Sequence, residues 1–484
     1  MSGTADSGGI RIVRLANFVT PASGGLRTAL QELGTGYRAA GHEPVLIVPG
    51  ERPSDVETAQ GRVITLSGAV LPGTGGYRVL TSRRRLSALL ESLAPDRLEV
   101  SDRTTLRWTG EWARRRRIPS VMVSHETADG VLRTWGVPDS AAERAADRLN
   151  KRSAWAYSRI VCTTEWAERE FVRIGARNVV RAPLGVDLVR CRPDRRREAL
   201  RAKYARGADV LLLLCSRLSV EKRPAAAVDA LAVLIGRGVR ASLVVAGDGP
   251  LAGGLARRAR ERRLPVEFLG HVGDREELAD LQASADICLA PGPAETFGLS
   301  ALEALASGTP VVSSATSALP EILGAAGCTA ADTPRAFADA VQELLARPEG
   351  ARRAAARARA ELFGWDRAVA AFLAAHEAPV LTGRDVLPAE RSAVGPPAAT
   401  GTSVVGTTVP FVPAVMPDAV SDVMPDVRPL TAESPIAASS VPAVPSVPSV
   451  PSVPFVPRLP AATPVTSAAS LSAAPVRPPN GGPS

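Results

Sequence analysis

The chain has no long apolar run. Although 45% of its 484 residues are hydrophobic, no stretch approaches the ~18 residues that a membrane-spanning helix needs. Met1 to Gly9 is small and polar, without the apolar centre of a secretory leader. Cysteine is scarce: Cys162, Cys191, Cys215, Cys288 and Cys328 are scattered, odd in number and without Cys-x-x-Cys spacing. They read as reduced cytosolic thiols rather than a disulfide framework. Four histidines with no paired Cys/His spacing argue against a structural zinc site. Aromatic residues make up 4% and no nucleic-acid motif is present, so nucleic acid is not the expected partner. A nicotinamide enzyme would place Gly-x-Gly-x-x-Gly straight after its first strand, and Asn17–Ser23 contains none.

Positive charge and proline are what the chain does have, and both are unevenly placed. Lys and Arg number 58 against 49 Asp and Glu, a formal charge of +9. About 22 of the 41 prolines fall after Ala378, within about 106 residues. That tail carries about −1 and the part before it about +10. An excess of that size suits an anionic partner, such as a nucleotide or a membrane surface. Val-Pro-Ser repeats at Pro445–Pro454 remove backbone donors and fix φ. Residues 379–484 therefore read as a disordered, partly polyproline-like tail, either a plain spacer or an arm that docks an unknown partner.

Before the tail, short apolar runs alternate with helical patterns. Strands are expected at Ile10–Leu15, Pro44–Val48, Val63–Leu66, Arg97–Val100, Ser120–Ser124 and Ile160–Thr163. Leu26, Ala29, Leu30, Leu33 and Tyr37 recur at helical spacing. Gly34 and Gly36 weaken that helix by about 1 kcal/mol each, so something outside it must hold it. After Pro183–Asp187 the pattern restarts. Further strands are expected at Val210–Leu214, Leu243–Ala246, Val266–Leu269, Ile287–Ala290 and Pro310–Ser313. Helices are expected at Pro224–Ile235, Arg335–Leu345 and Arg352–His376. The alternation predicts an α/β protein of two doubly wound domains, 1–187 and 188–378, with a cleft between them.

The most specific stretch runs from Ala290 to Val312. A strand ends, a Pro/Gly loop follows, and a helix starts near Phe297–Gly298. Backbone N–H groups at such a helix start suit an anion, and Gly298 admits a phosphate close to the chain. Glu295 precedes the helix and Glu303 lies within it. Paired carboxylates can act as general acid and base, but beside a diphosphate they suit sugar hydroxyls better. Arg217 and Lys222 follow another strand end and can hold that diphosphate. Gly24 and Gly25, with Ser23, open the first long helix and offer it a second cradle. His125 and Glu126 follow the Ser120–Ser124 run, and Asp102 ends another strand.

The Glu-x7-Glu stretch with Ala306-Ser-Gly-Thr-Pro310 resembles the retaining glycosyltransferases of family 4. The resemblance covers about residues 10–376 and includes Ser23-Gly24-Gly25, Pro183–Asp187, Arg217 with Lys222, and Gly247–Pro250. Val13–Phe18, Ser23–Ala29, Glu99–Arg103 and Ser124–Glu126 look like the actinobacterial branch that uses GDP-mannose to extend phosphatidylinositol mannosides. The Pro-rich tail departs from that pattern. The resemblance implies two facing Rossmann-like domains, the GT-B architecture, with the last helix crossing back to the first domain. It implies donor contacts from Gly24, Gly25, Arg217, Lys222, Val272, Glu295, Phe297, Gly298, Leu299 and Glu303. It gives catalytic roles to His125, Arg217, Lys222 and Glu295, with Asp102 and Glu126 as acceptor contacts. No Asp-x-Asp motif occurs before the tail, so no metal ligand or cofactor is expected.

The expected activity is transfer of a hexose, mannose from GDP-mannose, to a phosphatidylinositol mannoside or similar glycolipid. Two alternatives stay open: another sugar nucleotide with a soluble acceptor, or a pseudoenzyme that only binds the donor. Arg83–Arg85 begin a helix carrying Leu86, Leu89, Leu90 and Leu93, and Arg114–Arg117 follow Trp108 and Trp112. Such clusters suit an anionic lipid surface or are solvated faces. The first reading places the protein in the cytoplasm, peripherally on the inner face of the plasma membrane.

Overall fold

A computed structural model describes residues 9–19, 24–71, 76–134 and 136–377. The expected tail and Ser23 lie outside these residues. The first sheet contains β1 (Arg11–Leu15), β2 (Glu43–Gly50), β3 (Ser54–Thr58) and β4 (Gly61–Ser67). A small hairpin, β5 (Ala69–Val70) and β6 (Arg78–Val79), stands beside it. The sheet continues through β7 (Arg97–Val100), β8 (Ser120–Ser124), β9 (Arg159–Cys162) and β10 (Val179–Arg181). Its strand order is β10-β9-β8-β7-β1-β2-β4-β3. All its pairings are parallel except that of edge strand β3 with β4.

The second sheet contains β11 (Val210–Cys215), β12 (Ala241–Ala246), β13 (Val266–Gly270), β14 (Ile287–Ala290), β15 (Val311–Ser314) and β16 (Cys328–Ala330). Its order is β13-β12-β11-β14-β15-β16, parallel throughout. Leu211, Leu212, Leu213 and Leu214 are all at most 1% exposed, because helices cover both faces of a parallel sheet. These are two Rossmann-like sheets, and both orders step outward from a central strand (β1 and β11) in two directions. Loops at the carboxyl ends of the strands flanking such a switch point form the ligand crevice.

The two weak points in the first helix, Gly25–Ala39, have physical reasons. A Cβ on Gly34 would lie 2.7 Å from the Gln60 carbonyl oxygen, and one on Gly36 would overlap Val369. Val369 belongs to the last described helix, Trp365–Ala375, which packs on the first one. The end of that helix is pinned by a buried network. Glu99 on β7 receives Arg14 Nε at 2.7 Å and the Tyr37 hydroxyl at 2.7 Å, and lies 3.0 Å from His376 Nε2. Burial works to raise the Glu99 carboxyl. Arg14 and His376, with the Tyr37 hydrogen bond, hold it well below the usual carboxylate range.

The leucine stripe after Arg83–Arg85 does not face a lipid surface. Leu86, Leu90 and Leu93 are buried in the core beneath the Arg83–Leu93 helix, and Trp112 is buried too. The three arginines remain exposed. The 352–376 region is two helices rather than one, interrupted at Gly364. The five cysteines are free. Among the described residues, no helix is long and apolar enough to cross a membrane.

Candidate active site

The site grows from the ends of β11 and β14, neighbours at the switch point of the second sheet. After β14 the chain turns through residues 291–297 into the Leu299–Ala306 helix. Gly298 takes φ 77°, and a Cβ there would run into Leu319. Glycine alone meets both constraints without strain. The first backbone N–H groups of the helix, which have no partner within it, are left at the strand edge. Glu303 is the fifth residue of this helix. Its Oε2 receives Gln282 Nε2 at 3.4 Å, and burial pushes its carboxyl up.

After β11, the loop 216–223 runs alongside. A Cβ on Gly292 would sit 3.2 Å from Lys222 Cα, so the two loops pack backbone to backbone. This places Lys222 Nζ 2.5 Å from Glu295 Oε1. Arg217 lies on the same edge, donating to Glu221 at 2.6 Å and to the Tyr77 hydroxyl at 2.8 Å. Two cations and a helix N-terminus thus stand together with two carboxylates, Glu221 and Glu295. Val272, half-buried after β13, packs against the cluster containing Leu213 and Val244.

The first sheet meets this edge directly. A Cβ on Gly25 would lie 3.7 Å from Leu299 Cδ1, so two helix starts face each other. Gly24 is open on its side-chain face. Thr296 Oγ1 donates to the His125 carbonyl, and Thr164 Oγ1 donates to the Thr296 carbonyl at 3.0 Å. Arg275 Nη2 reaches Thr28 Oγ1 at 3.2 Å. His125 Nε2 lies 3.0 Å from Ser101 Oγ. Its half-buried ring is crowded by protein, and desolvation pushes its pKa down to about 4 despite the opposing field of Glu99. At neutral pH the imidazole is uncharged.

Three expected contacts sit differently from the rest. Phe297 is 4% exposed and packs edge-on to Phe363 with centroids 6.3 Å apart. Its side chain serves the core. Asp102 is buried and accepts from Asn17 Nδ2 (3.0 Å), the Thr104 amide (2.7 Å) and both neighbouring threonine hydroxyls. An acceptor hydroxyl would reach it only by displacing one of these. The Glu126 side chain is 48% exposed, 4.0 Å from Arg103 Nε.

Sequence reasoning gave no role to Arg103, Glu170, Asn17 or Tyr77. Arg103 is buried, pairs with Glu170 at 2.9 Å and donates to the Glu126 carbonyl, holding the turn that carries His125. Glu170 receives the amides of Ala128 (3.0 Å) and Asp129 (2.8 Å), capping the next helix. Arg103 stood in a motif quoted above. Glu170 sits in a charged helix with nothing local to mark it.

Residues 209–347 match the family described as Glycosyl transferases group 1, and residues 24–185 the Glycosyl transferase 4-like domain. A GDP-mannose-dependent alpha-(1-6)-phosphatidylinositol dimannoside mannosyltransferase of Mycobacterium tuberculosis is 50% identical over 370 residues, 75% of this chain and 95% of that protein. The chain belongs to this glycosyltransferase family. A GDP-mannose-dependent alpha-mannosyltransferase of the same species is 26% identical over 317 residues, 63% of this chain and 79% of its own. Among solved structures, a sucrose-phosphate synthase from Thermosynechococcus elongatus superposes with TM-score 0.62 at 21% identity, covering 76% of this chain and 98% of that one. Anabaena HepE, solved with UDP-glucose, gives 0.58 at 17%, covering 75% and 99%. At these identities the two structures speak for the fold of this glycosyltransferase, two facing Rossmann-like sheets.

Proposed function

We propose that this glycosyltransferase moves mannose from GDP-mannose, with retention, onto a phosphatidylinositol mannoside. The observation that carries the reading is Lys222 against Glu295, beside Arg217, at the start of the Leu299–Ala306 helix. Two cations and free amides complement a diphosphate, and an adjoining carboxylate accepts hydrogen bonds from sugar hydroxyls. The relative's printed activity supplies the base, the sugar and the acceptor.

In this reading Glu303 receives the ribose hydroxyls, and Arg217 and Lys222 stabilise the charge that develops on the departing diphosphate. The neutral imidazole of His125 positions the sugar and is not a nucleophile. The acceptor hydroxyl attacks from the face the diphosphate leaves, and that leaving group takes the proton. No step is assigned to a metal. The enzyme works at an anionic membrane surface on the cytoplasmic side, held there peripherally.

The test is a transfer and hydrolysis assay with GDP-mannose, UDP-glucose and UDP-N-acetylglucosamine, with and without phosphatidylinositol mannosides, in buffer and in EDTA. GDP-mannose should be preferred, the lipid should be extended, and chelation should change nothing. Transfer only to soluble sugars, or GDP binding without turnover, would overturn the reading.

A further inference from the structure

Arg217 is held from both halves of the molecule. Nη2 donates to Glu221 on its own loop at 2.6 Å, and Nη1 donates at 2.8 Å to the hydroxyl of Tyr77, which precedes β6 in the hairpin beside the first sheet. The Tyr77 ring centroid lies 5.6 Å from the guanidinium carbon.

Tyr77 is itself firmly placed. Its carbonyl receives the Leu71 amide at 2.8 Å, next to the β5–β6 hairpin. Its ring meets that of Phe18 edge-on at 6.1 Å. Phe18 stands at φ 60°, a left-handed conformation that an aromatic residue rarely adopts and that clusters at functional sites. Just before it, Asn17 Oδ1 receives the Leu80 amide at 3.0 Å, while Asn17 Nδ2 donates to Asp102 at 3.0 Å and to Thr105 at 2.7 Å. Asp102 therefore fixes Asn17, Asn17 holds the chain at Leu80, three residues after Tyr77, and Tyr77 faces Arg217. A guanidinium held at two of its nitrogens loses little freedom when a diphosphate arrives, which is the condition for strong electrostatic stabilisation.

We propose that Tyr77 is a positioning residue for the transfer reaction: from the first domain it orients the Arg217 guanidinium toward the donor's diphosphate. The proposal rests on the sugar-nucleotide reading above. It also gives the buried Asp102 a part at one remove, through Asn17.

Tyr77→Phe isolates the effect, because it keeps the ring over Arg217 and the edge contact with Phe18 and removes only the hydroxyl. Calorimetry with GDP and GMP, with donor-hydrolysis rates alongside, reads it. GDP should bind about 10-fold more weakly, the lower end for a lost hydrogen bond to a charged group, since Arg217 is half-exposed. Hydrolysis should fall by a similar factor. GMP, which lacks the second phosphate, should bind as to wild type. In an Arg217→Ala background the same change should cost nothing more. Wild-type GDP affinity and rate, equal losses for GMP and GDP, or a full further loss in the Arg217→Ala background would each overturn the proposal. A wild-type enzyme that does not bind GDP would instead sink the sugar-nucleotide reading, and this proposal with it.

Discussion

Lys222 Nζ lies 2.5 Å from Glu295 Oε1, joining the loop after β11 to the loop after β14. The two side chains are 27% and 17% exposed, too sheltered for water to screen fully. In the proposed reading the lysine takes the diphosphate and the carboxylate takes the sugar hydroxyls, so the partners would divide a sugar diphosphate between them. Lys222→Ala should weaken GDP binding by roughly 1.5–3 kcal/mol, the worth of a charge-assisted contact. Glu295→Gln should leave GDP affinity unchanged or tighter, since it frees Lys222, while turnover falls by about 100-fold or more as expected for a lost transition-state contact. Calorimetry and steady-state rates on both variants decide it. A parallel loss of affinity and turnover in Glu295→Gln would contradict the division.

His125 bears on stability as well as chemistry. Desolvation lowers its folded pKa to about 4, below the ~6.5 of an ordinary imidazole, so between those values the unfolded chain binds the extra proton. Stability is then lost as pH falls through that window. Glu303, pushed up by burial, has the opposite slope, so whole-protein curves mix the two. The difference between wild type and His125→Gln isolates the histidine. Urea midpoints at pH 7 and pH 5 should fall further for wild type than for the variant. Equal drops would place the titration elsewhere.

Strands buried on both faces were legible because burial leaves a nearly unbroken apolar run. Ser120–Ser124 and Ile287–Ala290 agree with the pattern to the residue, and so does Arg97–Val100, although Arg97 and Glu99 break its apolar run. Edge strand β3, with Asp55 and Glu57 exposed on it, has no such run and left no signal. The Arg217, Lys222 and Glu295 grouping was legible because both loops follow strands that neighbour in a doubly wound order. Tyr77 was not, since its contact with Arg217 spans 140 residues and depends on how the two halves meet.

Gly36 shows a local weakness explained from far away, and it gives a signed prediction. Alanine at an interior helix position gains about 1 kcal/mol over glycine. Here its methyl would overlap Val369 of the last described helix, and overpacking typically costs about 1–3 kcal/mol. Gly36→Ala should therefore lower the thermal midpoint, and Val369→Ala in the same chain should restore much of it. Stabilisation by Gly36→Ala alone would mean the two helices are not tightly packed at this point.

With Leu86, Leu90 and Leu93 in the core, the proposed membrane attachment would use charge and exposed aromatics. Arg83–Arg85 are exposed, and the Arg83 guanidinium lies 5.9 Å from the centre of the Trp108 ring. Further along the same half, Trp155 is 59% exposed with Arg114 stacked 4.3 Å from its centroid. Beside Trp155 runs a groove of about 340 Å³ lined by Arg107, Glu111, Lys151 and Arg152. Tryptophan favours the headgroup level of a bilayer. Each arginine adds at most about 1 kcal/mol at an anionic surface, and salt screens it. Replacing Arg83, Arg84 and Arg85 with Ser should cut co-sedimentation with anionic vesicles by up to about 100-fold at low salt and much less at high salt. Trp155→Ala should weaken it at both salts, because an apolar contact is not screened. Both variants should hydrolyse donor in solution at the wild-type rate, which separates membrane attachment from the active site. Vesicle binding that neither variant alters, or that ignores lipid charge, would exclude this face as the attachment surface.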